Sequence, residues 1–539
     1  MSVARYQDKA YEIIKESIKS AIFIDEKART PFQKEETLTG AAEEKISLDL
    51  YTNFREAGIS LSIHKYKLRD EKDTNLKEYL FEDRDLVLLD WNLQETSGGE
   101  EHALELLVDI IKRPYIHFCT IYTSESASGL DNVFRNILSY FSNNTIDDYK
   151  DIQEELESDY NITKIKSQLD YINLNRHSDD CGKKVGELFK TNSSEIKEIK
   201  KITKKTDNKC AIIQASIALS NTIKSSEPHP CPSISSFANK TLIIENTIIT
   251  ILNKSENSPS NLIKNISKQI VKNHSSFTQL LGLEMQTIFS KSSAFIDQNL
   301  LNCTKHSLIY HRENYKKESL EHFFPEFIKE IMLEKAKLNI RCKQFTLLED
   351  SFLDGQNEKK VPNDKELIAM NIFYNSSKLQ GTNQLNFGDV FKKEDKEEYF
   401  ICITALCDCL RPDKIGNAFF FAKGVPIRTK DALPLGDTAF ISYLSDKQIV
   451  KWTDVNTYIA LEHHKFSPVY IKPLQFTVPS TNFTKDNNLE FKSLDSKGTP
   501  KSFEVKYITT IKSNYTQRIA NHAFNHPIRV GVDFVKKAK

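Results

Sequence analysis

The chain has 539 residues, 39% of them hydrophobic, enough for roughly three or four domains at about 150 residues each. Lysine plus arginine and aspartate plus glutamate both number 74, so net charge exerts no pull toward nucleic acid. No apolar run reaches the roughly 20 residues that span a bilayer, the N-terminus carries no secretory pattern, and the nine scattered cysteines suit reduced thiols; a soluble cytoplasmic protein is expected, with no nucleic-acid or membrane partner.

The first predicted element is a short buried strand, Ala21 to Ile24, which runs into the acids Asp25 and Glu26. After a polar loop, LDLYTNFREAG places Leu50, Tyr51, Phe54 and Ala57 on one helical face and stops at Gly58. ISLSIHKY alternates as a strand with Leu61 and Ile63 inward, and a brief helix covers Asn75 to Phe81. The stretch DLVLLDWNLQ then places four apolar residues directly before Asp90. A strand apolar at every position is covered on both faces, as in a parallel α/β sheet. A helix follows from Glu100 to Lys112, then a strand over 116–124 and a helix over 130–141. Four strand–helix repeats predict right-handed βαβ units on a doubly wound, flavodoxin-like parallel sheet.

Residues 143–239 break this pattern. They are rich in Asn, Asp and Lys, with interleaved charges that read as a solvated helical insertion, a buried helix over 210–223, and a proline-containing loop over 227–236. Alternation returns in KTLIIENTIITILNK (240–254), which predicts a hairpin about Glu245 and Asn246 ending at Lys254. A helix capped by Ser260, with Leu262, Ile263, Ile266, Ile270 and Val271 on one side, completes the sheet by residue 275. The expected organisation is therefore 15–142 for four strands of the first domain, 143–239 for the insertion and 240–275 for its last strand and helix. A helical region over 276–375 and a β-rich C-terminal domain over 376–539 follow.

The carboxyl ends of parallel strands form the ligand crevice of such sheets. Asp25, Glu26 and Asp90 should therefore lie together, although two like charges at about 4 Å repel by about 4 kcal/mol at an effective dielectric of 20. Three carboxylates need a cation or a raised pKa, and oxygen-only ligands suit Mg²⁺. Thr123 closes the next strand with a hydroxyl, and Lys254 closes the last with a point charge. Acid pair, aspartate, hydroxyl and lysine at successive strand ends make a phosphoaspartate site with Asp90 as nucleophile.

This arrangement resembles the receiver domain of two-component response regulators, carried by the acid pair Asp25-Glu26, by LVLLDWNL with Asp90 and by IYTS with Thr123. The resemblance implies that Asp90 accepts a phosphoryl group from a partner histidine kinase and that a downstream effector protein reads the result. It also implies that the backbone carbonyl of Asn92 joins Asp25, Glu26 and Asp90 around Mg²⁺, with Thr123 and Lys254 at the phosphoryl group. Three departures stand out: Gln94 in place of the usual proline, a long loop after the acid pair, and a lysine very late in the chain. The layout further resembles atypical receivers of phage-defence two-component loci such as Detocs, which implies a phosphate sink or relay in antiviral defence.

Two other functions stay open: a degenerate receiver acting as a scaffold without phosphorylation, and a Mg²⁺-dependent phosphohydrolase. The last is disfavoured because Asn92 stands where a general acid is needed. No effector-enzyme motif is evident. In the C-terminal part, Cys402, Cys407 and Cys409 have C-x4-C-x-C spacing, which reads as core and not as a zinc knuckle. Asp389 reads as a turn residue, Tyr122 as packing, and His117 as a buried strand residue in need of a hydrogen-bond partner.

Overall fold

In a computed structural model the chain forms two compact units, one from residues 1–294 and 336–357, the other from 295–335 and 358–539. The structure describes residues 3–30, 42–68, 70, 73–94, 98–272, 276–291, 302–316, 323–340, 345–353, 362–377, 384–434, 440–452, 471–494 and 498–529. The middle of the loop expected after the acid pair, 31–41, and residues 95–97 of the turn after Asp90 fall outside them.

The first unit is built on seven strands: β1 (Ser20–Asp25), β2 (Ser60–Lys65), β3 (Leu86–Leu89), β4 (His117–Thr123), β5 (Ile234–Ser236), β6 (Thr241–Ile244) and β7 (Thr247–Asn253). Their order is β2-β1-β3-β4-β7-β6-β5. The first five in that order are parallel, and β6 and β5 extend the sheet antiparallel. The hairpin at Glu245-Asn246 is therefore present, and its second strand is the one that joins the parallel core. The proline-containing loop expected over 227–236 differs in its last residues, which pair with β6 as the edge strand β5.

Strand alternation divides the apolar side chains between two cores. Ile22, Ile24, Val87, Leu89, Ile121 and Ile251 face one side, against α3 (Thr74–Phe81), α4 (Gly99–Ile111) and α5 (Ala127–Tyr140), after α1 (Val3–Ser17) and α2 (Ala42–Glu56) in chain order. Ala21, Phe23, Leu88, Phe118, Tyr122 and Leu252 face the other, against α1 and α2 and against two helices that follow the sheet. Each fully buried Leu, Ile or Phe contributes about 1.5–3 kcal/mol, so the two-sided apolar run of β3 fixes its central place. Tyr51, expected inward on α2, is 37% exposed; the inward positions are Glu44, Ser47, Leu50 and Phe54.

The insertion consists of six helices, α6 (Ile146–Ser158), α7 (Tyr160–Lys164), α8 (Lys166–Leu174), α9 (Cys181–Thr191), α10 (Ser193–Ile202) and α11 (Asn208–Leu219). They bury their own core of Ile152, Leu156, Leu169, Ile172, Ile199 and Ile212. Helix α11, apolar nearly all round, lies at its centre, where no solvated face is needed. Arg135 on α5 pairs with Asp170 on α8. Asn136 accepts a hydrogen bond from the Ile223 amide at 3.2 Å, and both contacts fasten the insertion to α5.

After β7 the chain forms a single 3₁₀ turn (Pro259–Asn261), then α12 (Leu262–Val271) and α13 (Ser276–Lys291). The 3₁₀ turn includes Ser260, so the helix starts without the serine cap expected there. Helices α1 and α13 pack with α12, and Glu284 on α13 accepts the Thr346 amide at 2.8 Å, which seats Leu347 and Phe352 on the second core.

The second unit holds β8 (Ser376–Ser377), β9 (Asp389–Lys393), β10 (Tyr399–Cys402), β11 (Ala418–Pro426), β12 (Ile441–Ser445), β13 (Gln448–Lys451), β14 (Pro473–Thr477), β15 (Asn488–Leu494) and β16 (Pro500–Ile511). Strands β9, β10, β11, β14, β15 and β16 close antiparallel into a six-stranded barrel. Phe391, Phe400, Phe419, Phe421, Phe476 and Phe491 fill its core. Cys402 and Cys409 are buried in that core with their sulfurs 4.0 Å apart, as expected of packing residues, whereas Cys407 is exposed and departs from the core reading. Residues 406–409 form a short helix and not strand. Helical segments Lys305–Lys316, Phe323–Ile340 and Asp364–Asn375 precede the barrel in the chain, so a helical middle and a β-rich C-terminal domain follow the α/β sheet.

Candidate phosphoacceptor site

Parallel register creates the site. Ile24 pairs with Leu89 and Thr123 with Asn253, so the residues one step further along, Asp25, Asp90 and Lys254, come to the same end of the sheet. Two backbone bonds carry the ladder past the strands: the Asp90 amide to the Ile24 carbonyl at 2.9 Å, and the Lys254 amide to the Thr123 carbonyl at 2.7 Å. A lysine 229 positions from Asp25 thereby arrives beside it.

The Lys254 ammonium donates to Asp25 Oδ2 at 2.7 Å. It stands 3.0 Å from Asp90 Oδ1, at ion-pair distance but without the alignment of a hydrogen bond. All three side chains are buried, and the Lys254 ammonium lies 5.9 Å from the centre of the Phe23 ring. Asp25 Oδ1 accepts the Lys27 amide at 2.6 Å, which turns the chain sharply and brings Glu26 to the crevice. Carboxylate oxygens of Asp25, Glu26 and Asp90 lie within 4.8 Å of one another, the single such cluster of potential metal ligands among the described residues.

Electrostatics follow from this crowding. Burial pushes the Asp90 carboxyl up to about 7; Lys254 opposes the rise, and Asp25 and Glu26 add to it. Burial also raises Glu26, with Asp25 as the second cause. Burial works against the Lys254 charge, but Asp90 and Asp25 outweigh it, and its pKa is raised. The Lys254 ammonium offsets only part of the negative charge that the three acids bring together. Glu26 Oε1 is 3.8 Å from Lys27 Nζ, whereas its Oε2 is buried without a hydrogen-bond partner. That orphaned oxygen, an all-oxygen donor set and the uncompensated charge fit a hard divalent cation such as Mg²⁺.

Thr123 is buried at the end of β4, where its hydroxyl oxygen accepts the Glu125 amide at 3.3 Å, leaving the hydroxyl hydrogen available as a donor. Asn92 is exposed, two residues past Asp90. Its loop folds tightly onto the start of α4: the Leu93 amide bonds the Gly99 carbonyl at 3.3 Å, and a Cβ on Gly99 would meet the backbone nitrogens of Gln94 at 2.7 Å and Leu93 at 2.9 Å. A glycine is therefore required at 99.

Asp25, Glu26, Asp90, Thr123 and Lys254 thus lie at one end of one sheet. His117 lies at the opposite end of β4, held by the Tyr115 carbonyl at 2.9 Å and the Thr247 hydroxyl at 3.1 Å, and burial lowers its pKa. It takes no part in the site. The Tyr122 hydroxyl donates to the Asn257 carbonyl at 2.6 Å, a partner that its reading as a packing residue did not supply. Sequence reasoning also missed Asn253 and Glu125; a polar Asn-Lys-Ser-Glu-Asn run directly after an apolar strand was the available signal for the first.

Residues 17–179 match the family model described as a response receiver domain. No curated protein and no solved structure matches the chain. Residues 17–179 thus carry a receiver domain, which supports a phosphoacceptor signalling role at the level of that family. The matched residues end within the insertion, so Lys254 enters the site from outside them.

Proposed function

We propose that this chain is a two-component signalling protein that accepts a phosphoryl group on Asp90 from a partner histidine kinase. The observation that carries this reading is Lys254, buried between Asp25 and Asp90 although the insertion separates it from both in sequence. A buried lysine held by two carboxylates is costly unless the geometry has a use.

In the transfer, a carboxylate oxygen of Asp90 attacks phosphorus, the phosphorus–nitrogen bond of the phosphohistidine breaks, and the imidazole leaves with the bonding pair and takes up a proton. Lys254 then holds its ammonium beside the new acyl phosphate, and the Thr123 hydroxyl donates to a phosphoryl oxygen. Asp25 and Glu26 with Asp90, and the Asn92 carbonyl, would hold Mg²⁺, which when bound offsets charge on the phosphoryl oxygens. The added charge of about −1.5 to −2 alters the balance around Lys254 and Thr123, and the loops bearing them pass the change onward. A phosphohydrolase reading is not favoured, since no acid is available at Asn92 to protonate a leaving group.

The test is incubation of the full chain with Mg²⁺ and beryllofluoride or acetyl phosphate. One adduct per chain that is absent in Asp90→Asn is expected. Binding that ignores Asp90 would instead support the scaffold reading, and repeated phosphate release the hydrolase. The layout's likeness to phage-defence receivers supports our proposal of a sink or relay in antiviral defence; phage plating on cells carrying the wild-type or Asp90→Asn protein in its locus should then differ.

A further inference from the structure

Lys254 can serve the phosphoryl group only if its strand end keeps station with the loop that carries Thr123. We infer that Asn253 is the positioning residue that locks these two loops into one unit. This rests on the phosphoacceptor reading above.

Asn253 is 8% exposed and uses both ends of its amide. Its Oδ1 accepts the Ser255 amide at 2.7 Å, the Ser255 hydroxyl at 2.5 Å and the Glu256 amide at 3.0 Å. Those bonds turn the chain immediately after Lys254, and such turns are ordinary for Asn, Asp and Ser. The other end is not explained by the turn. Nδ2 donates to the Glu125 carbonyl at 2.6 Å, across to the loop two residues past Thr123. Aspartate would make the same turn but has no such donor, so the amide is the residue type that serves both sides.

The clasp encloses the functional pair. On one side the Lys254 amide bonds the Thr123 carbonyl; on the other Nδ2 of Asn253 bonds Glu125, whose own amide bonds the Thr123 hydroxyl. The Tyr122 hydroxyl ties in from behind through the Asn257 carbonyl, and the Asn257 amide returns to the Asn253 carbonyl at 3.1 Å. Ammonium and hydroxyl therefore share one rigid support and approach the phosphoryl group in fixed relation. A misplacement of about 1 Å in such a grip can cost on the order of 10²-fold in rate.

The discriminating variant is Asn253→Asp, which keeps the turn and removes the donor. Phosphorylation of Asp90 by acetyl phosphate is followed in wild type and variant over a range of donor concentrations, with thermal unfolding alongside. In this step the Asp90 carboxylate attacks phosphorus and the bond to acetate breaks. The saturating rate should fall at least tenfold while the half-saturating donor concentration stays within about twofold, because the donor's own contacts are untouched. Should Asn253→Asp fail to fold, Asn253→Ser, which retains a turn-forming oxygen, is expected to show the same loss. A saturating rate within twofold of wild type in the folded variant overturns the assignment. No Asp90-dependent adduct in wild type overturns the phosphoacceptor reading itself, and this inference with it.

Discussion

At the scale of the residue, the site turns on one buried ammonium held by two carboxylates. Lys254 is buried with Asp25 and Asp90, and removing one member of such a group leaves uncompensated charge in a poorly solvated place. Lys254→Met should therefore destabilise the first unit by about 3–5 kcal/mol at neutral pH, seen as a lower urea midpoint. Mg²⁺ should raise the stability of this variant more than that of wild type, since the ion no longer shares the carboxylates with an ammonium. Equal response of both proteins to Mg²⁺ would count against a cation site there. The acids and Thr123 were legible because each ends an apolar strand, and parallel register does the rest. Gly99 was not legible, because its constraint lies in the backbone of residues 93 and 94 packed against it; the turn at Asn253 left a polar run in the sequence, but its bond to Glu125 is encoded by no local pattern.

At the scale of the element, β9 of the second unit opens on a buried acid. Asp389 accepts the Thr510 hydroxyl and the Asn386 amide, both at 2.7 Å, and burial pushes its carboxyl up to about 7. Between the ordinary 3.8 and that value the folded barrel keeps a proton that the unfolded chain releases. The stability this contributes is complete below the ordinary value and is lost as pH rises through about 7, by up to about 4 kcal/mol. Urea titrations of wild type and Asp389→Asn from pH 4 to 8 should show a downward slope in wild type that flattens in the variant; parallel curves would contradict it.

Other elements show where pattern reading succeeds. The β6–β7 hairpin was legible from two apolar runs around Glu245-Asn246, and the return of the chain to the same sheet from an apolar run that ends in Lys254, where the receiver resemblance calls for a lysine. Helix α1 was missed although Ala10, Ile13 and Ile14 are spaced for one buried face, since the N-terminus was read only for targeting signals. Barrel closure was out of reach, because β9 pairs with β16 more than a hundred residues later and strand alternation does not name partners.

At the scale of the whole molecule, the chain holds separate cores, those of the receiver sheet and insertion in one unit and that of the barrel in the other. A truncation deep in the barrel, Phe421→Ala, should cost about 3–5 kcal/mol there and leave Asp90 chemistry unchanged. Its effect should appear in a different unfolding transition from that of Lys254→Met, with tryptophan emission as reporter: Trp91 sits beside Asp90 in the first unit and Trp452 lies in the second. A single transition moved equally by both substitutions would show that the cores unfold as one.

The central claim is that distant strand ends assemble a pocket in which Asp90 takes a phosphoryl group. Its most direct test is the intact mass of the full chain after acetyl phosphate and Mg²⁺, read beside Asp90→Asn. A single phosphoryl adduct that maps to Asp90 and vanishes in the variant is the expected result. An unmodified wild-type chain, or an adduct that survives the substitution, would contradict it.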